Sequence, residues 1–123
     1  MADGRQALGQ TGEEAACREL RRRGYHILAR RYRTRAGEID IVARDGRTLV
    51  FVEVKTRSGP AFGSGLDAVT PRKQAQVRKM AIDYLWRAGL GDAPCRFEVA
   101  AVTLDGPRQP PRVHVVCDGF DRW

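Results

Sequence analysis

A chain of 123 residues has room for one core and one domain (1–123), and 42% apolar with 30% charged residues is ordinary globular composition. No apolar run is long enough to span a bilayer, no hydrophobic segment follows Met1-Ala2-Asp3-Gly4 as in a secretion signal, and Cys17, Cys95 and Cys117 are too scattered for a disulfide framework or zinc site. A reducing cytoplasm is the expected compartment. The formal net charge of +7 suits nucleic acid without requiring it.

The elements read α-β-β-β-α-β-β. Thr11 stands as N-cap of the first helix, Glu14 completes a capping box, and Gly24 stops the helix. Glu13 shares a stripe with Ala16, Cys17 and Leu20 and so faces inward. It reads either as a metal or water-positioning ligand at the sheet edge or as an acid favoured by the helix dipole. From Arg18 to Arg35 arginines crowd the chain against Glu19 alone. Arg21, Arg22, Arg23, Arg30, Arg31, Arg33 and Arg35, with Lys73 further on, are the candidate nucleic-acid contacts; a solvated helix face is the plain alternative.

A first strand is expected over Tyr25 to Arg33. Glu38 to Arg44 and Thr48 to Thr56 form a hairpin turning at Asp45-Gly46. A two-residue turn there sets Val42 opposite Leu49, Asp40 opposite Phe51 and Glu38 opposite Glu53. Asp40 and Glu53 then lie diagonally on one face, roughly 7 Å apart, with Lys55 following on the same face. A loop one residue longer would throw the two carboxylates to opposite faces, so the register tests the site.

Residues 57 to 69 read as a glycine-containing loop, either a lip over substrate or a plain connector. Thr70-Pro71 opens a second helix with a cap and a first-turn proline; its apolar stripe is Val77, Ala81, Tyr84, Leu85 and Ala88, and Gly89 closes it. Phe97 to Leu104 and Arg112 to Cys117 are the last strands. Apolar Phe120 and Trp123 at the chain's end are the expected interface of a homodimer.

The chemistry gathers in Glu38-Ile39-Asp40 and Glu53-Val54-Lys55. Charges embedded in runs this apolar must be paired or metal-bound, and converging carboxylates beside a lysine suit a hard divalent cation. The chain uses nineteen arginines and three lysines, which makes a lysine two residues past Glu53 informative. A compact ammonium can contact an attacking water and a phosphate together, and its proton can be moved by burial; arginine keeps its proton. The plain alternative is a lysine paired with Glu53 or Glu38 on an edge strand.

Glu13, Asp40 and Glu53-Val54-Lys55 resemble the (D/E)…(D/E)xK constellation of restriction-endonuclease-like nucleases. Gly12-Glu13, Gly37-Glu38-Ile39-Asp40, Val50-Phe51-Val52-Glu53-Val54-Lys55, Phe62-Gly63 and Ala81-x-x-Tyr84-Leu85 resemble, more narrowly, the YraN-type bacterial proteins, which are similar to archaeal Holliday-junction resolvases. The resemblance runs from about Leu8 to Phe120, with one departure at Arg31, where asparagine is expected. It implies an α/β restriction-endonuclease-like αβββαββ core, a mixed β-sheet flanked by helices. It further implies a metal-dependent endonuclease acting on DNA, with structured or branched DNA as the candidate substrate. Asp40 and Glu53 would ligate Mg²⁺ or Mn²⁺ with the main-chain carbonyl of Val54 as third ligand, Lys55 would orient or activate water, and Glu13 would be an auxiliary acid; the hairpin register sets Glu38 at the margin, as a partner of the ligands. The competing expectation is a non-catalytic nucleic-acid-binding protein that keeps the fold; against it, a mere binder gains nothing from carboxylates facing phosphates.

Overall fold

The structure, a computed structural model, describes residues 4–58 and 70–117. Helix α1 (Gly4–Arg22) leads into strands β1 (His26–Thr34), β2 (Gly37–Asp45) and β3 (Thr48–Ser58); helix α2 (Pro71–Arg87) follows, then β4 (Cys95–Leu104) and β5 (Arg112–Cys117). The five strands form one mixed sheet in the order β1-β2-β3-β4-β5. Among the described strands β3 and β4 run parallel and the other neighbours antiparallel, and α2 lies between β3 and β4 in the chain, the kind of crossover that parallel neighbours require. The α/β, αβββαββ architecture expected from the sequence is the one observed.

Helix ends follow local chemistry. Gly24, at φ +94, ends α1 in a Schellman turn: its N–H donates to Arg21 O, and the Tyr25 N–H reaches back to Leu20 O. Gly89, at φ +71, closes α2 in the same way, with Leu90 N–H donating to Leu85 O. Thr70 caps α2, accepting from the Lys73 N–H at 3.1 Å, with Pro71 at the first turn. The start of α1 differs from expectation. Thr11 lies inside the helix, which begins at Gly4, and Glu14 is drawn to Arg30 instead of closing a capping box. Seven residues in front of Thr11 continue the helical turn, so the cap signal there is not used.

Each face of the sheet buries one helix. Ala15, Ala16, Cys17 and Leu20 of α1 pack with Ile41, Ala43, Val50, Val52, Ala100, Val102 and Val115. Val77, Met80, Ala81 and Leu85 of α2 pack on the other side with Ile39, Val42, Leu49, Phe51, Phe97 and Val99. Strands covered on both faces are apolar on both, which explains the continuous run from Leu49 to Val52. Ala88, expected on the α2 stripe, is exposed because it caps the helix; Met80 takes up core volume instead. Tyr84 stands edge-on to Tyr32 and Phe51.

The hairpin turns one residue later than expected. Asp45 pairs with Thr48, leaving Gly46-Arg47 as the loop, with a left-handed φ of +61 at Gly46. Asp45 is kept in the strand, where its carboxylate accepts from Arg96 at 2.7 Å. Val42 therefore faces Phe51, not Leu49. Both strands move by one residue, so the parity that places Asp40 and Glu53 on the same side is unchanged. The expected loop over 57 to 69 is shorter at its start, since β3 continues to Ser58; residues 59–69, with Phe62-Gly63, lie outside the described residues, as do Phe120 and Trp123.

Candidate functional site

Strand β1 is irregular at two points: its register against β2 shifts between Ile27 and Ala29, and its backbone turns left-handed at Arg31. Arg31 has φ +53, the left-handed region that among non-glycine residues asparagine tolerates best. This is the position where the sequence departs from the expected asparagine. Arg31 lies between the pairs Arg30↔Ile41 and Tyr32↔Ile39, across from Asp40. Strict alternation fails there on both strands: Ala29 and Tyr32 both meet the α2-side core, as do Ile39 and Val42. The β2–β3 ladder stops at the same level, with Ile41↔Val52 its last pair. Beyond it the Asp40 side chain replaces the backbone, accepting the Val54 N–H on Oδ2 at 2.7 Å.

Glu53 follows Leu49 and Phe51 on the α2 side and is 8% exposed. Its Oε1 lies 3.5 Å from Lys55 Nζ and 3.5 Å from Lys73 Nζ, one cation from its own strand and one from the first turn of α2. Burial pushes the Asp40 carboxyl up to about 7, and the neighbouring charge of Glu53 adds to this; the Val54 hydrogen bond and Lys73 act in the opposite direction. A carboxyl held this far above its usual 3.8 marks a place short of positive charge. The donor set suits a hard divalent cation, since the buried Glu53 and half-buried Asp40 carboxylates and the main-chain carbonyl of Val54 offer oxygen alone. Asp40, Glu53 and the carbonyl of Val54 could hold Mg²⁺ or Mn²⁺, which is content with one or two carboxylates and water elsewhere.

The structure gathers Asp40, Glu53 and Lys55 but holds Glu13 in another setting. Glu13 is inward-facing and 7% exposed, yet its carboxylate accepts from Arg30 Nε at 2.8 Å and Arg31 Nε at 3.1 Å. Among the described residues no three His, Cys, Asp or Glu side chains gather closely enough to hold a metal. Glu38 lies at the margin: Arg33 holds it at 2.8 Å, and its charge contributes to the rise at Asp40. Of the basic candidates, Arg22 and Arg23 are held by Glu19, Arg30 and Arg31 by Glu13, and Arg33 by Glu38, whereas Arg21 and Arg35 are exposed. Lys73, read from the sequence as a nucleic-acid contact, lies against Glu53.

A third buried acid, Glu98, belongs to none of the motifs read from the sequence. Glu98 is fully buried on β4, where Tyr25 Oη donates to it at 2.7 Å and Arg96 Nε at 3.0 Å. Arg96 also donates to Tyr25 Oη at 2.6 Å and stacks over its ring. This network ties the start of β4 to the end of α1 and the hairpin. It is structural; the only sequence signal was an acid within an apolar strand.

No helix among the described residues is long and apolar enough to cross a membrane. The model of "Uncharacterised protein family UPF0102" matches residues 12–102. A UPF0102 protein of Geobacter sulfurreducens is 47% identical over 114 residues, covering 93% of this chain and 88% of the relative. One from Pelotomaculum thermopropionicum is 46% identical over 105 residues (85% and 88%), and one from a Parafrankia species is 54% identical over 97 residues (79% and 82%).

Proposed function

The chain belongs to the UPF0102 family, and with that as premise we propose that it is a Mg²⁺- or Mn²⁺-dependent endonuclease hydrolysing phosphodiester bonds in DNA, structured or branched DNA included. The observation that carries this reading is the cluster where β2 and β3 part: Asp40 raised to about 7 by burial and by Glu53, with Lys55 3.5 Å from Glu53. Two carboxylates that repel each other in a partly buried site destabilise a protein unless a cation joins them. A bound Mg²⁺ or Mn²⁺ supplies Lewis-acid charge to the phosphate.

The chain's own residues do the rest. Asp40 and Glu53 would hold the metal with their carboxylate oxygens, and the Val54 N–H fixes the Asp40 carboxylate in place. Lys55 and Lys73 present ammonium groups beside Glu53, positioned to steady charge that develops on a phosphate and to orient water for attack. Glu53, set between the two lysines, keeps both in that position while no phosphate is bound.

Cleavage of linear and branched DNA in Mg²⁺ and Mn²⁺ tests the reading. The Asp40→Asn and Lys55→Ala variants should each lose cleavage by two orders of magnitude or more on the scale of about 10²–10³ for one electrostatic group, while folding and DNA binding persist. Wild-type protein that binds DNA or RNA yet cuts neither with either metal would establish a non-catalytic nucleic-acid-binding protein instead.

A further inference from the structure

Helix α2 opens with Pro71-Arg72-Lys73-Gln74-Ala75-Gln76-Val77-Arg78-Lys79, which carries four cations and no acid. Arg72 and Lys73 therefore occupy the positive end of the helix dipole, where stability favours Asp or Glu. The arrangement works against the isolated protein and in favour of an anion brought to it. A polar cleft of about 430 Å³ lies between this helix and the β1–β2 turn, lined by Ala36, Arg72, Ala75, Gln76 and Lys79. Arg72, Gln76 and Lys79 project along one face, at spacings of four and three. Gln76 is already used, since its Nε2 donates to the Ala36 carbonyl and ties the β1–β2 turn against the helix. Arg72 and Lys79 form no ion pair among the described residues, in contrast to Arg22, Arg23, Arg30, Arg31 and Arg33, each of which faces a glutamate. Two chain segments link the cleft to the carboxylate cluster: Lys73, next to Arg72, reaches Glu53, and the chain from Ala36 runs through Gly37 and Glu38 to Asp40.

We propose that this cleft seats the DNA backbone beside the bond to be cut, with Arg72 and Lys79 as the phosphate-binding residues. The inference rests on the phosphodiesterase reading for the class of substrate. It moves the principal DNA contact from the α1–β1 arginines to α2, because cations already neutralised by glutamate release fewer counterions when a phosphate arrives.

The test is fluorescence anisotropy of a labelled DNA duplex in EDTA across a salt series. The proteins compared are the wild type, Arg72→Ala/Lys79→Ala, Arg72→Lys/Lys79→Arg and Arg21→Ala/Arg22→Ala/Arg23→Ala. Losing two phosphate contacts should flatten the logarithmic salt slope by about 1.8, at about 0.9 per contact, and weaken binding at least tenfold at low salt. The charge-preserving exchange should bind like the wild type, and the triple variant should lose less than the alanine pair. Wild-type affinity and slope in the alanine pair, or no binding by the wild type, would overturn the inference. Cleavage with Mn²⁺ is measured separately: binding that depends on Arg72 and Lys79 without any cleavage would sink the nuclease reading alone.

Discussion

Asp40→Asn should make the protein more stable at pH 8, although the same change removes a proposed metal ligand. A carboxyl raised from 3.8 to about 7 stores about 4 kcal/mol against the ionised folded state, at 1.36 kcal/mol per tenfold in the proton equilibrium. Partial contact with water reduces the expected gain to about 2–4 kcal/mol. The sign follows from proton binding. Folded Asp40 keeps its proton up to about pH 7, whereas the unfolded chain releases it near 3.8. Between these values the native state binds more protons, so this group's contribution falls as pH rises, and the full cost is present above 7. Asparagine's carbonyl can still accept the Val54 N–H, so the local geometry is kept. At pH 8 the variant's midpoint should exceed the wild type's by roughly 10 °C, taking about 4 °C per kcal/mol for a chain of this size; near pH 4 the two should coincide. Scanning calorimetry at pH 4, 6 and 8 on both proteins reads the difference directly, and groups such as Glu19, held low at about 2 by Arg22 and Arg23, cancel in it. Mg²⁺ at pH 8 should raise the wild type's midpoint and leave the variant's where it was. A variant no more stable than wild type at pH 8, or a gap that widens toward acid, would refute the claim that Asp40 is buried at a cost.

Arg31→Asn should retain or improve stability despite losing the contact to Glu13, because asparagine accepts φ +53 more readily; Arg31→Ala, which keeps the strain and loses the ion pair, should fall below it by about 1 kcal/mol in urea unfolding. Gly12→Ala should destabilise by about 1–3 kcal/mol, since a Cβ there would run into the Thr56 side chain on β3 and force α1 off the sheet; a denaturation midpoint equal to wild type would show that the helix can give way.

Periodicity and end signals determined most of the fold. Thr70-Pro71, Gly24 and Gly89 act within a few residues of themselves, so their effects survive in any tertiary context, and β5 runs from Arg112 to Cys117 as expected. The move of the turn to Gly46-Arg47 left the parity across the hairpin as it was, because both strands shifted together, whereas Asp40 lies beyond the last β2–β3 pair and is held by the Val54 N–H. Three things needed the folded chain. The left-handed Arg31 interrupts the β1–β2 pairing opposite Asp40, and nothing in an arginine's side chain announces a positive φ. Lys73 meets Glu53 only because α2 crosses back over β3, twenty residues away in sequence, which local pattern cannot register. Glu13 faces inward as its helical stripe requires, but its partners, Arg30 and Arg31, come from β1. Local sequence settles which way a side chain points wherever helix or strand is regular; packing between distant segments settles what it meets, and where the regularity breaks.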